Sequence, residues 1–324
     1  MATPEPQAKI GIISLGDMGS GLARLLVAKG YAVATNCQGR SQDTIDRALE
    51  AGAELLPSDV ALVQQCDLIL SVVPPRDAAA TAQRIVDAIP AAARTAPLYF
   101  ADMNAVSPAT VRAIAGLFQP LGDDAVRFID GSILGGPPEE DNKTWTRPLL
   151  PTSGPHPLAT SLPPHYHPSR LALILRIKHI SPSIGAASGL KMCFASLSKG
   201  FAAISVQAVT TAQRLGVLPD LRDALRDIMP ANLDRMDRAV VGMGPKAYRW
   251  VREMEEISAT HAEDGGFREE AAGLFKGAAG VFRTVAEDTV LGEEKVGKRK
   301  RRTTAEDVAR AMVEGMEGKR KKRE

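Results

Sequence analysis

An α/β domain built on a parallel sheet, followed by an all-helical domain, is the architecture that this 324-residue sequence predicts. Apolar strand-like runs alternate with helical patterns through the first half, which argues for parallel strands covered on both faces. The first of those runs passes through a glycine-rich turn straight into an amphipathic helix. From Gly185 the composition turns alanine- and leucine-rich, with helical periodicity to about Leu291. The length exceeds one ordinary domain. The expected boundaries are 1–182 for the α/β domain, 183–292 for the helical domain and 293–324 for a basic tail with a short helix.

The opening element is Lys9–Gly30, K-I-G-I-I-S-L-G-D-M-G-S-G-L-A-R-L-L-V-A-K-G. Ile10, Ile12 and Ile13 supply a buried strand, and Leu22, Leu25 and Leu26 give the helix its core stripe. Gly16 and Gly19 admit backbone close to a pyrophosphate, and the helix start offers unpaired N–H groups and a positive dipole end. Ser14, Leu15, Gly16, Asp17, Met18 and Gly19 are therefore expected to line the phosphate site of a Rossmann-type domain. Ser14 stands where the G-x-G-x-x-G pattern has its first glycine.

A second strand, Tyr31–Thr35, closes the unit. NAD-preferring chains place an acid near its end to hold the ribose 2′-hydroxyl. Here the segment reads Asn36-Cys37-Gln38-Gly39-Arg40-Ser41, and the first acid, Asp43, lies in the next helical stretch. Arg40 with Ser41 presents a planar fork and a hydroxyl to a 2′-phosphate. NADP is thus expected over NAD, with a solvated loop charge as the plainer use of Arg40.

Further elements follow in order: a helix at Val60–Gln65, a strand at Asp67–Val73 ending in Pro74-Pro75, and a helix over 76–89. A strand at Leu98–Ala101 delivers Asp102-Met103-Asn104 at its carboxyl end, where open α/β sheets bind ligands. Val73, Pro74 and Asn104 are accordingly expected at the cofactor. Ser107-Pro108 reads as N-cap and first residue of a helix to about Phe118, and a strand at Val126–Ile129 ends in Asp130. Residues 137–183 carry ten prolines and read as a long irregular stretch, broken only by a strand or helix near Leu171 to Ile177. So much structureless chain is foreign to a compact domain, so part of this segment is expected to be a flexible insertion or sequence that does not belong to the fold.

The net charge of +2 hides an asymmetry: from Lys295 onward there are twelve Lys/Arg against five Asp/Glu. The runs Lys298–Arg302 and Lys319–Arg323 suit nuclear import, phosphate-backbone contact or a solvated tail. Cys37, Cys66 and Cys193 have no pairing or metal spacing, which suggests a reducing compartment. The start lacks the charged and apolar regions of a secretory signal, and no run of 18 apolar residues occurs. A soluble cytoplasmic protein is expected, with nuclear entry through the basic runs left open. His165-Tyr166-His167 lacks an accompanying carboxylate or cysteine, so no metal is expected. Trp145 and Trp250 are read as packing residues.

Three blocks occur in order: the glycine turn, then Phe128-Ile-Asp-Gly-Ser-Ile-Leu-Gly-Gly136, then Gly185-Ala-Ala-Ser-Gly-Leu-Lys-Met-Cys193. Together they resemble the β-hydroxyacid dehydrogenase family, which includes 3-hydroxyisobutyrate and 6-phosphogluconate dehydrogenases. The similarity spans most of the chain and is closest to the branch with a divergent, phosphogluconate-dehydrogenase-like helical domain. Phosphogluconate itself is a poor candidate, because that enzyme's much longer helical half is missing. The resemblance places the family's catalytic lysine on Lys191 and matches its substrate block at Asp130, Gly135 and Gly136, with Ser132, within that block, also expected at the substrate. It also matches Asp102, Asn104 and Pro108 to the segment beside the nicotinamide. Leu134 replaces a serine, Ser132 a proline and Ala195 an asparagine; Ser196, Ser198 and Lys199 are candidates to compensate.

A lysine suits the chemistry on its own terms. Hydride leaves a carbinol carbon only as the hydroxyl proton is removed, and a neutral amine can take it once burial or a nearby cation lowers its pKa. Gly135 and Gly136 are expected to offer backbone N–H groups to a substrate carboxylate. The implied activity is NADP-dependent hydride transfer to or from a small hydroxy acid, in a homodimer formed through the helical domain. Imine reduction, or a silent nucleotide-binding protein that uses its basic tail, are the rivals.

Overall fold

The computed structural model describes residues 8–142, 144–294 and 304–321. The chain divides into two units, one ending at Lys191 and one beginning at Met192.

In the first unit the elements run β1 (Lys9–Ile13), α1 (Asp17–Ala28), β2 (Ala32–Asn36), α2 (Gln42–Glu50), β3 (Glu54–Leu56), α3 (Asp59–Gln65), β4 (Leu68–Ser71), α4 (Ala78–Ala88), β5 (Leu98–Asp102), α5 (Pro108–Phe118) and β6 (Val126–Gly131). A hairpin, β7 (Glu139–Asp141) and β8 (Thr144–Thr146), precedes β9 (Leu150–Ser153), α6 (Leu158–Ser161), α7 (Pro168–Leu175) and β10 (Ile177–Ser181). Helix α8 (Ala186–Leu215) carries the chain across the unit boundary.

The main sheet has eight strands in the order β10-β9-β6-β5-β4-β1-β2-β3. Its pairings are parallel except β6 with β9. Two apolar layers bury its faces. Ile10, Ile12, Leu22, Leu25, Leu68 and Tyr99 belong to one, and Ile69, Ile85, Phe100, Phe118 and Phe128 to the other. Period-2 alternation decides which layer each strand residue joins. Ser107 caps α5 as the sequence predicts, its Oγ accepting from Thr110 N at 3.1 Å with Pro108 in the first turn.

Residues 137–183 depart from the expectation of a mostly irregular stretch, and the element expected near Leu171 to Ile177 is present as α7 running on towards β10. They supply two strands of the main sheet, a hairpin and two helices. Pro164 and Pro168 open helical turns, where a missing N–H costs nothing, and the carbonyl of Pro151 within β9 accepts from Ser132 N at 3.0 Å. The segment is also tied down by fully buried Tyr166, whose OH accepts from Asp67 N at 3.1 Å. Nearby, His165 and Arg94 both meet the Asp67 carboxylate, while His167 is exposed.

The second unit adds α9 (Leu218–Ile228), α10 (Pro230–Met243), α11 (Ala247–Glu263), α12 (Glu269–Ala272), α13 (Leu274–Asp288) and α14 (Ala305–Lys321). Met243, Met254, Ile257, Phe282 and Val285 are buried there, and Trp250 meets Phe282 edge-on with centroids 5.0 Å apart. Helix α14 is not a loose tail. Val308, Ala309 and Met312 are buried, Arg222 joins Asp237 and Glu306, and Lys319 pairs with Asp288. The run Lys298–Arg302 lies outside the described residues, as do Lys322 and Arg323. One helix among the described residues, α8, is long and apolar enough over an 18-residue window to cross a membrane, with mean hydropathy 1.3 and 44% of that window buried. Its alanines and scattered leucines raise the average although Ser196, Ser198 and Lys199 interrupt any strict apolar run.

Candidate active site

The turn between β1 and α1 is shaped by two residues. Ser14 adopts φ +72°, the left-handed region that favours glycine, so a serine does here what the motif's first glycine does. A Cβ on Gly19 would lie 2.1 Å from Ser14 O, so only glycine lets the helix pass this close to the turn. Leu15 is fully buried, and its carbonyl accepts from Arg47 Nε at 3.1 Å. Gly16 N-caps α1 without a side-chain cap, and nothing lies within 4 Å of where its Cβ would be. Open space at an uncapped helix start fits a pyrophosphate. Asp17 and Met18 form the first helical turn, with Asp17 exposed.

Beyond β2 the chain turns through Gly39, φ +71°, with Arg40 N donating to Cys37 O at 3.0 Å. Arg40 and Ser41 are both exposed, and Ser41 N-caps α2. Asn36 occupies the end of β2 and donates to Asp59 Oδ1 at 2.8 Å.

At the carboxyl edge, Ser71, Asp102 and Asp130 are register partners on three adjacent strands, and Ser153 pairs with Asp130 from β9. Asn104 is buried beside this row. Its Oδ1 accepts from Val73 N at 2.7 Å and its Nδ2 donates to Ser71 Oγ at 3.2 Å, so it ties the ends of β4 and β5 together. Val73 and Pro74 are half-buried alongside. Asn104 N also donates to Asp102 Oδ1 at 3.0 Å. Burial pushes the Asp102 carboxyl up to about 7, assisted by the nearby Asp130 charge and opposed by the Asn104 hydrogen bonds.

Asp130 has a role that sequence reasoning missed. It is fully buried, and its Oδ2 accepts from Gly185 N at 2.8 Å, Ala187 N at 3.1 Å, Ser188 N at 3.3 Å and Ser153 Oγ at 2.7 Å. Ser188 Oγ adds 2.7 Å to Oδ1. One carboxylate thus satisfies the start of α8 and meets its dipole. The sequence signals are an acid at the end of a strand and its place in the resemblance's second block; that a helix begins over it 55 residues later is a tertiary fact. Ser132 is also fully buried, its hydroxyl donating to Ala187 O at 3.0 Å.

Lys191 follows one turn into α8. Its side chain is half-buried, with Nζ donating to Ile133 O at 2.6 Å. That carbonyl lies three residues beyond Asp130, just ahead of Gly135 and Gly136. Both glycines are exposed, and Gly135 adopts φ +132° with Pro148 3.2 Å from where its Cβ would be. The three candidate compensators are engaged elsewhere. Ser196 and Ser198 donate to carbonyls of their own helix, and Lys199 pairs with buried Glu253 and lies over the Trp250 ring. Among the described residues, no group of three His, Cys, Asp or Glu side chains is placed to hold a metal ion.

Comparisons with known proteins agree with this layout. Residues 9–146 match the NAD binding domain of 6-phosphogluconate dehydrogenase, and residues 212–285 match a domain of unknown function, DUF1932. An uncharacterized oxidoreductase of Synechocystis sp. is 24% identical over 215 residues, 66% of this chain and 70% of that protein. The crystal structure of 3-hydroxyisobutyrate dehydrogenase from Salmonella typhimurium superposes with a TM-score of 0.65 at 19% identity, covering 94% of this chain and 99% of that one. An imine reductase from Myxococcus stipitatus in complex with NADP+ gives 0.53 at 16% identity, with the same coverage of 94% and 99%. The chain therefore joins an NAD(P)-binding domain of the 6-phosphogluconate dehydrogenase type to a C-terminal DUF1932 domain, on the fold shared by hydroxyacid dehydrogenases and imine reductases.

Proposed function

We propose that this protein is an NADP-dependent oxidoreductase acting on the carbinol or carbonyl of a small hydroxy acid, with Lys191 as general acid/base. The observation that carries the reading is the Lys191 amine held at Ile133 O, between the carboxyl edge of the sheet and the exposed Gly135-Gly136 turn. The bound coenzyme supplies or accepts the hydride. Lys191 takes the hydroxyl proton as the carbonyl forms and returns it in the reverse direction. Gly135 and Gly136 present backbone N–H groups to the substrate's carboxylate. Ser132, whose hydroxyl is held by Ala187 O, sets the course of that loop rather than reaching substrate. Asn104 positions the coenzyme ring beside Val73 and Pro74, and Ser14 to Gly19 seat the phosphates. A panel of 2- and 3-hydroxy acids with NADP tests the reading; turnover of cyclic imines and of none of the acids would transfer it to imine reduction.

Arg40 and Ser41 carry the preference for the 2′-phosphate. In a fluorescence titration NADPH is expected to bind at least about tenfold tighter than NADH, the scale of one charge-assisted fork. Arg40→Ala is expected to erase the difference, and equal affinities in the unaltered protein would remove the preference.

We further propose a soluble, cytoplasmic homodimer formed through the helical domain. Phe194, Leu197, Phe201, Ile204, Ala208, Thr211 and Leu215 recur on α8 at alternating spacings of three and four. Leu197, Ile204 and Leu215 are 73%, 58% and 71% exposed. A seam with that period suits packing against a second helix. Leu197→Glu with Ile204→Glu is expected to convert a dimer to a monomer in light scattering, and an unaltered chain already monomeric at micromolar concentration would refute it.

A further inference from the structure

The row Ser71, Asp102, Asp130 and Ser153 places two carboxyl groups side by side on adjacent strands, and the chain treats them differently. Asp130 receives five donors, three of them backbone N–H groups at the start of α8. Asp102 is equally buried, yet its Oδ2 has no hydrogen-bond partner and its Oδ1 accepts from the backbone of Asn104. Among the described residues, the charge that bears on it is that of Asp130, of like sign, while the Arg112 guanidinium lies against Gly185. Strand β4 presents the Ser71 hydroxyl, which meets Asn104, β6 presents the like charge of Asp130, and the polar groups of Ser188 are turned on Asp130. An uncompensated buried carboxylate beside another carboxylate holds its proton, in keeping with an acidity pushed up to about 7.

We propose that Asp102 is a positioning residue that keeps its proton in the resting site and releases it to solvent when oxidised coenzyme binds, so that a carboxylate charge appears behind Asn104 when the ring is positive. This rests on the reading that Asn104 lies at the coenzyme ring. The reasoning is linkage: a cation brought near a buried acid favours its ionised form, and the ionised form favours the cation by the same factor. The neutral reduced ring has no such effect. NADP+ affinity therefore gains on NADPH affinity as pH rises through the acidity of Asp102, while ionisation of the 2′-phosphate affects both forms alike and cancels in their ratio.

The test measures dissociation constants of NADP+ and NADPH for the full-length protein between about pH 5.5 and 8.5. In the unaltered chain the ratio of the NADP+ to the NADPH constant is expected to fall on the order of tenfold across this range, the effect of opposite charges roughly 10 Å apart at an effective dielectric near 20. It is expected to stay flat in Asp102→Asn, which keeps shape and neutrality, and to keep its slope in Lys191→Met. A slope that survives in Asp102→Asn and vanishes in Lys191→Met overturns the proposal. Infrared spectra without coenzyme, near pH 6, give a second readout. A carboxylic-acid carbonyl band is expected and must disappear in Asp102→Asn; its absence from the unaltered chain overturns the protonation itself. If the band is present but Asn104→Ala leaves both affinities unchanged, the ring is elsewhere and the coupling fails with it.

Discussion

Lys191→Ala is expected to lower turnover by about 10²- to 10⁴-fold while leaving the coenzyme dissociation constant within about twofold. The magnitude is that of a positioned proton-transfer group removed from an otherwise complete site. The separation follows from the structure, because the lysine is bonded to Ile133 O at the end of β6 while the phosphate turn lies at the end of β1, two strands further along the sheet order than β5. Steady-state kinetics together with a coenzyme titration check it. Equal loss of coenzyme affinity and turnover would make Lys191 a structural residue, and unchanged turnover would remove it from the chemistry. Lys191→Arg is expected to be almost as impaired, because a guanidinium stays charged and cannot act as the base.

The second large effect is structural. Asp130→Ala is expected to destabilise the first unit by about 3–5 kcal/mol, since it removes a buried acceptor from three backbone N–H groups and two hydroxyls at once. Asp130→Asn is not a conservative rescue. Its amide nitrogen would point a donor at donors, so most of the loss is expected to remain. Calorimetry should show the transition of the first unit lowered by roughly 10 °C, with the second unit's transition as internal reference. A shift of less than about 2 °C would mean that water satisfies the helix start equally well. Lys191 stands one turn beyond Ser188, so either variant should also lower turnover, in proportion to lost helix order rather than to any direct chemical role for the carboxylate.

The parts of this fold that were legible in the sequence are those whose causes are local. Apolar residues at Ile10, Ile12 and Ile13, a glycine turn and leucines at helical spacing identify the first βα unit, because strand period, turn and helix period are written within twenty residues. Ser107-Pro108 marks a helix start for the same reason. Outside Leu171 to Ile177, the segment 137–183 reads as irregular because its order comes from distant partners. Strand β9 is four residues long and finds its place against β6, and Tyr166 accepts from the Tyr31 hydroxyl on its carbonyl and from Asp67 N on its own hydroxyl. Proline density, read locally, suggests irregular chain, yet two of these prolines, Pro164 and Pro168, occupy first helical turns where the fold has no use for the missing N–H. The site divides along the same line. Lys191 and the glycines came from motif order, whereas Asp130 as the anchor of α8, and Arg47 on Leu15 O, depend on side chains meeting across gaps of tens of residues. Ser196, Ser198 and Lys199 looked available by helical spacing and are occupied by neighbours that spacing does not reveal.

Ser14 has a consequence beyond the turn it makes. A side chain in the left-handed region carries roughly 1–2 kcal/mol of conformational strain that glycine would not. That strain is absorbed when the chain folds, before any dinucleotide arrives. The cradle is thus finished in advance, and none of the energy of ligand capture has to be diverted to bending the backbone into shape.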